Sequence, residues 1–458
     1  MSSFEPTSKS QRWTFFAVIS LGLFMISLDN SILYTALPEL NRQLGTTPAE
    51  SLWIINAYPL VLSGLLLGAG TLGDKIGHRL MFIVGLAVFG AASLAAAFAP
   101  SAWALVAARA ALGVGAAAMM PATLALIRLT FADEQERNTA IGIWSSVAVV
   151  GAAVGPLIGG ALLSAFWWGS IFLINVPIVV VALVLTLLLA PENVPNPDKH
   201  WDAVSSVYVL VALSGFTIAV KEAAKAERWW WLLAAAVAVT VTAGALFGRR
   251  QRLLTEPLLT FDIFRSRLFV GGVVAAAGAM FVLIGVELNT TQKLQLVDAL
   301  SPLQAGLIII VMALAAFPAS ALGGANLHRV GFLPLIAGGF FGAAAGTLLL
   351  AAGAQFAGLA VMGVSAGAIM SVSSIAIIGA APPHRSGMAA GVEEVSYELG
   401  ALLSVAVTGS LMGRWLETQT YMEAYGGVMV VLAVASASMG LLSLWCFAGN
   451  PKSGDLHP

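Results

Sequence analysis

Fourteen apolar runs succeed one another along the chain, separated by short polar punctuation. They lie near 13–37, 51–72, 80–99, 102–127, 138–163, 166–190, 204–222, 229–248, 267–291, 303–325, 332–351, 355–379, 386–412 and 424–447. A membrane-spanning helix needs roughly 20 apolar residues, so each run can cross a bilayer. In hydrocarbon the backbone must satisfy its own hydrogen bonds, which leaves only helices and closed barrels. Barrel strands alternate apolar and polar residues, whereas these runs are apolar throughout. The sequence therefore predicts an all-α polytopic membrane protein. Composition agrees: of 458 residues, 59% are hydrophobic and 10% charged, against about 25% charged in a soluble domain. Most of the surface must face lipid.

The polar N-terminus MSSFEPTSKSQR is not signal-like, and the run after it carries Asp29 and no convincing cleavage site. We read it as a retained first span. Fifteen of the 22 Lys and Arg fall in segments on the N-terminal side of the membrane, six on the other side, and Arg109 lies within a span. By the positive-inside rule this predicts an even number of spans with both termini cytoplasmic. The net charge of −1 gives no basic footprint for nucleic acid. A lone cysteine, Cys446, excludes an internal disulfide and a cysteine-rich metal site. No phosphate loop, nucleophile triad or metal constellation is visible, so no enzyme, metal or cofactor is expected.

The longest polar breaks, ENVPNPDKHWD at 192–202 and GRRQRLLTEPLLTFDIFRSR at 248–267, isolate two helices between two blocks of six. The expected organisation is 6+2+6: an N-terminal bundle over 1–190, linker helices and loops over 191–266, and a C-terminal bundle over 267–458. LGDKIGHR at 72–79 and a degenerate GGANLHRVG at 323–331 occupy the same place in each block, which suggests parallel repeats of the kind found in transporters. Trp229, Trp230 and Trp231 read as an interfacial aromatic belt.

Four features carry chemistry. The first is the tight turn of Gly73, Asp74, Lys75, Gly77, His78 and Arg79. Its glycines let two helix ends approach closely, and Asp74 can lock one conformation through an ion pair, with Arg128 and Arg137 as candidate partners. The second is GAAVGPLIGG in span 5, where Gly151, Gly155 and Gly159 share a helix face beside Pro156 and Gly160. This gives a groove for close packing and a kink point. The third is Arg109 in span 4. A guanidinium there either faces a polar interior or snorkels to the surface about 10 Å away; we favour the interior. The fourth is a set of intramembrane carboxylates: Asp29 in span 1, Glu287 in span 9, and Glu393, Glu394 and Glu398 in span 13. Desolvation disfavours the charged form of an acid, which lets acids inside a membrane exchange protons, and their charge can balance a lipophilic cation. Glu394 and Glu398, four apart, share a face and repel when both are charged. Phe24, Met25, Trp53, Asn56, Tyr58, Trp144 and Tyr397 are candidate cavity residues, the aromatics offering faces for a flat cation.

The turn at 72–79, Arg109 and GAAVGPLIGG resemble the signature motifs of major facilitator drug:proton antiporters. With the 6+2+6 pattern, SLDNSILYTALPEL, LWIINAYPLVLSG, WGSIFLINVPI, LSPLQAGL and VEEVSYELG, the chain resembles the fourteen-span branch of QacA-like and SmvA-like quaternary-ammonium efflux pumps. The resemblance implies a major facilitator fold in a bacterial cytoplasmic membrane. It implies export of lipophilic cations by alternating access, driven by the proton gradient, by a protein working as a monomer in the lipid bilayer. It also implies that Asp29, Arg109 and the span 13 glutamates are functional positions. The chain departs from the pattern at Asn56, where relatives often carry an acid, around Ala315 and Ala316, where some carry another, and in a short loop after span 13. The smaller set of acids counts against divalent substrates and a high proton stoichiometry. A dedicated exporter of one metabolite or antibiotic on the same scaffold is the alternative. An importer is disfavoured by the span 5 motif, and a membrane enzyme or receptor by the lack of a catalytic constellation or soluble domain.

Overall fold

The computed structural model describes residues 8–198, 201–224, 228–255, 257–381 and 386–447. Lys199, Lys225, Arg385 and Lys452, four of the cations in the charge count, lie outside them. The described residues are helical: α1 Lys9–Leu44, α2 Pro48–Ile76, α3 His78–Ala97, α4 Ala102–Thr130, α5 Glu134–Ala165, α6 Ser170–Leu173, α7 Asn175–Leu189, α8 Ala203–Ala224, α9 Trp230–Leu253, α10 Arg267–Leu296, α11 Pro302–Val330, α12 Phe332–Ala351, α13 Gln355–Gly379, α14 Ser386–Trp415 and α15 Tyr421–Cys446. Every apolar run coincides with one helix except the sixth. There Phe166–Gly169 is non-helical, and a short α6 is parted from α7 at Ile174. Pro177 has no N–H to offer the Leu173 carbonyl, so the ladder loses a rung at that point.

The ends of the helices are written in the sequence. Ser101, Ser301 and Thr420 accept from the backbone N–H three residues on, and Thr47–Glu50, Ser301–Gln304 and Thr420–Glu423 form reciprocal capping boxes. Pro38, Pro59, Pro121, Pro156 and Pro318 lie inside long helices, as membrane helices tolerate when neighbours satisfy the freed groups.

The two blocks pack by one scheme. In the first, α1 lies on α5, α2 on α4, α3 on α4 and α3 on α7; in the second, α10 lies on α14, α11 on α13, α12 on α13 and α12 on α15. Across the blocks, α5 meets α11, α2 meets α14 and α1 meets α10. Exchange of the blocks turns the α5–α11 pair into the α14–α2 pair and leaves α1–α10 unchanged, the mark of two parallel repeats. The faint similarity of 72–79 to 323–331 is thus the residue of a structural repeat.

The linker helices sit on one flank. α8 packs on α9, α2 and α14, at the α2–α14 seam, while α9 rests on α8. Gly64 makes this possible: a Cβ there would lie 2.8 Å from the Leu210 backbone. At one end of the pair Asp202 takes both Nε and Nη2 of Arg250, at 2.9 and 3.0 Å, and accepts from Ser205. Burial pushes the Asp202 carboxyl up, but the hydrogen bonds from Arg250 and Ser205 outweigh it and hold the group below the usual carboxylate range. The clamp is therefore intact at neutral pH and lost only as pH falls through that lowered value. Trp229, Trp230 and Trp231, all more than 60% exposed, ring the other end of α9, as the aromatic belt reading requires.

Candidate functional site

The interior charge of span 4 does not snorkel. Arg109 is wholly buried, and its Nη1 pairs with Asp29 of α1, itself buried. Its Nε donates to the Ile54 carbonyl of α2 at 3.1 Å, and its guanidinium lies over the Tyr58 ring, 4.7 Å from the centroid. Small residues position it. A Cβ at Gly113 would sit 2.7 Å from the Tyr58 carbonyl, so α4 can press its backbone onto α2 only with glycine there. Asn175, at the start of α7, completes the group by donating to Asp29 and to Ser93, each at 3.3 Å. A buried charge pair survives only when its remaining lone pairs and protons find partners, and α1, α2, α4 and α7 all contribute here. One donor, Arg109 Nη2, has no partner among the described residues.

The acids of the second block approach from across the seam. Tyr34 of α1 lies within electrostatic reach of Glu287, Glu398 and Arg109, and Tyr58 of α2 within reach of Asp29, Glu394, Glu398 and Arg109. Glu394 and Glu398 are half-buried within the bundle, and Glu398 Oε2 is covered and unpartnered among the described residues. Glu287 of α10 accepts from Ser31 of α1 at 2.8 Å, a hydrogen bond that joins the two blocks. Glu393 lies within electrostatic reach of Glu394 but is held by other partners. It is buried, accepts from Tyr397 at 3.0 Å, and Tyr397 also donates to the Met370 carbonyl of α13 at 3.3 Å.

The candidate cavity residues divide. Met25 and Tyr58 are fully buried, and the Tyr58 hydroxyl donates to the Ile26 carbonyl at 3.3 Å. Asn56 is also fully buried, with neither amide atom partnered among the described residues. Phe24 and Trp144 are half-buried, Trp144 donating to Thr123 at 3.1 Å. Trp53 is covered by Lys221 of α8, whose Nζ lies 4.1 Å from the ring centroid.

The two conformational motifs occupy seams. Gly151, Gly155 and Gly159 face α1: a Cβ on Gly155 would come 2.7 Å from Cβ of Ser31, and one on Gly159 would come 2.7 Å from Ile32 Cγ1. The next face meets the other block. A Cβ on Gly160 would lie 2.6 Å from the Pro302 carbonyl carbon, and one on Gly306 of α11 would lie 2.6 Å from that of Pro156. Span 5 is thus a backbone-to-backbone contact with both its own block and the opposite one. In the turn between α2 and α3, Gly77 has φ 94°, a conformation reserved for glycine. Asp74 pairs with His78 at 2.9 Å. Arg128 makes no ion pair with it among the described residues, and the Arg137 side chain lies outside them. The partner is the first residue of α3, brought back onto the end of α2 by the Gly77 turn. Arg79 donates to the Leu187 carbonyl of α7 at 3.0 Å.

Sequence reasoning missed Asn175, Ser31, Tyr34 and Gly306. Asn175 was the most accessible of these, an amide in the apolar run WGSIFLINVPI. Ser31 and Tyr34 lie two and five residues after Asp29 on α1, and only the fold shows which block each faces.

The family model of the Major Facilitator Superfamily matches residues 19–291. The methyl viologen resistance protein SmvA of Salmonella typhimurium (strain LT2) is 36% identical over 441 residues, covering 94% of this chain and 88% of that protein. The multidrug efflux pump LfrA of Mycolicibacterium smegmatis is 38% identical over 410 residues, covering 88% and 81%. Among solved structures, a bacterial homologue of the human lysosomal transporter Spinster, inward-facing and unoccupied, superimposes with a TM-score of 0.68 at 16% identity over 96% of this chain and 98% of that one, which shows the fold alone. The chain is a multi-pass protein of the bacterial inner membrane and belongs to the Major Facilitator Superfamily.

Proposed function

We propose that the protein exports lipophilic cations in exchange for protons. The observation that carries this reading is the convergence of the Arg109–Asp29 pair in one block with Glu394 and Glu398 from the other. An acid paired with arginine and two further acids give a place where protons and an organic cation compete for the same negative charge. The names of the relatives, methyl viologen resistance protein and multidrug efflux pump, support the substrate class. The blocks 1–190 and 267–458 act as the moving halves, with 191–266 as their linker. The termini are cytoplasmic, as the charge distribution expects. One chain suffices, because it supplies both sides of the charged cluster. Asp29, Arg109, Glu394 and Glu398 bind cation and proton, Glu287 bridges the halves through Ser31, and Glu393 supports Tyr397. No metal or cofactor takes part.

Reconstitution tests this. Purified protein in liposomes with an imposed pH gradient should move several unrelated cationic dyes and quaternary ammonium compounds against their gradients. Collapse of the gradient by a protonophore should stop the movement. Transport of one compound alone from the panel would favour the dedicated exporter, and transport indifferent to the gradient would refute proton exchange.

A further inference from the structure

The segment that leaves α7 does not run free to the linker helices. It crosses the turn between α2 and α3, and the side chain of Asn193 enters that turn. Its Nδ2 donates to the Ile76 carbonyl at the end of α2, at 2.7 Å, and its Oδ1 accepts from the Leu80 N–H in the first turn of α3, at 3.1 Å. One amide thus serves the end of one helix and the start of the next. The need is local: the residue at the start of α3 is Gly77, which has no side chain to cap the free N–H groups. Gly77 is also where Asn193 sits, since a Cβ on Gly77 would overlap the Asn193 carboxamide. The segment makes one further bond to the turn, from Asn196 N–H to the Asp74 carbonyl at 3.1 Å, and the end of α7 accepts another, from Arg79 to the Leu187 carbonyl at 3.0 Å. The same segment leads into α8, which lies on both α2 and α14.

We propose that Asn193 is a positioning residue for the conformational cycle, a clasp that holds the α2–α3 turn in one of its two arrangements and ties it to the linker helices. This rests on the reading of the protein as an alternating-access transporter. It adds that the glycine at 77 is required for the seat of a side chain 116 positions away as well as for its backbone angle. Any movement of α2 against α3 must break one or both amide bonds, so the clasp sets the relative stability of the two states.

The test compares Asn193→Ala with Asn193→Asp in the full-length protein in nanodiscs. Aspartate keeps the acceptor for Leu80 and places a negative charge at a helix N-terminus, where it is favourable, but gives up the donor to the Ile76 carbonyl; alanine removes both bonds. Exchange of the Leu80 amide with deuterium should quicken about fivefold in Asn193→Ala, the size of a lost helix cap, and stay near the parent value in Asn193→Asp. Distances between spin labels at Leu129 and Val330, exposed ends of α4 and α11 in opposite blocks, report the populations of the two states in a Cys446→Ser background. Asn193→Ala should shift their ratio by a similar factor, and Asn193→Asp, which has no donor for the Ile76 carbonyl, should shift it in the same direction. Unchanged Leu80 exchange in Asn193→Ala would overturn the clasp. Faster exchange with an unmoved distance distribution would reduce Asn193 to a local cap and overturn its role in the cycle. Neither readout needs a dye or a pH gradient, so failure of pH-driven transport by the parent protein would count against the proposed function and leave this result standing.

Discussion

Arg109→Ala should abolish pH-driven efflux while the protein still inserts and binds lipid normally. The change removes three contacts at once: the pair with Asp29, the bond to the Ile54 carbonyl and the stack on Tyr58. Removing one member of a buried pair costs about 3–5 kcal/mol, because the other charge is left uncompensated. Asp29 can escape that cost only by taking up a proton, and an aspartic acid fixed in its neutral form no longer cycles. We expect a fall of at least about tenfold in the initial efflux rate, since a barrier change of only 1.4 kcal/mol suffices for that. Arg109→Lys should rescue poorly, as an ammonium cannot reproduce the forked donation and the stacked plane. The double variant Arg109→Ala with Asp29→Asn should be no worse than the poorer single, because the two residues act as one unit. Dye efflux from liposomes containing equal amounts of each protein decides this. Normal efflux by a well-expressed Arg109→Ala protein would mean that the pair only holds α1, α2 and α4 together.

The second large effect is expected where α5 meets its neighbours. Gly155→Leu must drive a side chain into Ser31 of α1, which is the residue that holds Glu287 of the opposite block, and Gly306→Leu must drive one into the backbone at Pro156. Overpacking of this kind costs about 1–3 kcal/mol, and a bias of that size between two states changes their ratio roughly 5- to 150-fold. Both variants should therefore keep dye binding in detergent within about twofold while efflux falls by about tenfold or more. Equilibrium binding by fluorescence polarisation, set beside liposome efflux, separates the two quantities. Should binding and efflux fall together in folded protein, α5 lines the substrate site and does not seal the halves.

Much of this architecture was legible in the sequence because a bilayer leaves few choices. Apolar length placed the spans, and the capping boxes at Thr47, Ser301 and Thr420 sharpened three of their starts. The sixth span shows what length cannot convey: Pro177 breaks the ladder within a run that is apolar from end to end. Arg109 and Asp29 were legible as isolated charges, but their pairing was not, since 80 residues and two intervening helices separate them. Glycine spacing in span 5 announced a groove, yet the partners, α1 on one face and α11 on the other, follow only from the packing of the repeats. Asp74 pairs with His78 across the Gly77 turn, a partner nearer in sequence than the arginines considered for it; Arg128 makes no such pair among the described residues, and the Arg137 side chain lies outside them. Glu393, adjacent to Glu394, is turned to Tyr397 and α13 by the helix geometry, which divides a set of acids that reads as uniform in one dimension.

The central claim is that drug and proton exclude each other from one set of carboxylates. A bound proton neutralises the charge that holds the cation, and a bound cation favours the ionised acid, so by linkage each weakens the other's binding. Protons arriving from one side then expel the drug, and drug arriving from the other side expels protons. The direct measurement is the affinity of the purified protein for a cationic dye as a function of pH. The account predicts that affinity rises from acid to mildly alkaline pH. It also predicts that a triple variant, Asp29→Asn with Glu394→Gln and Glu398→Gln, loses most of that dependence while Glu393→Gln keeps it. An affinity that is flat with pH in the parent protein, or a triple variant that retains the full dependence, would contradict the account and move the coupling site to Glu287 or to the turn at Asp74.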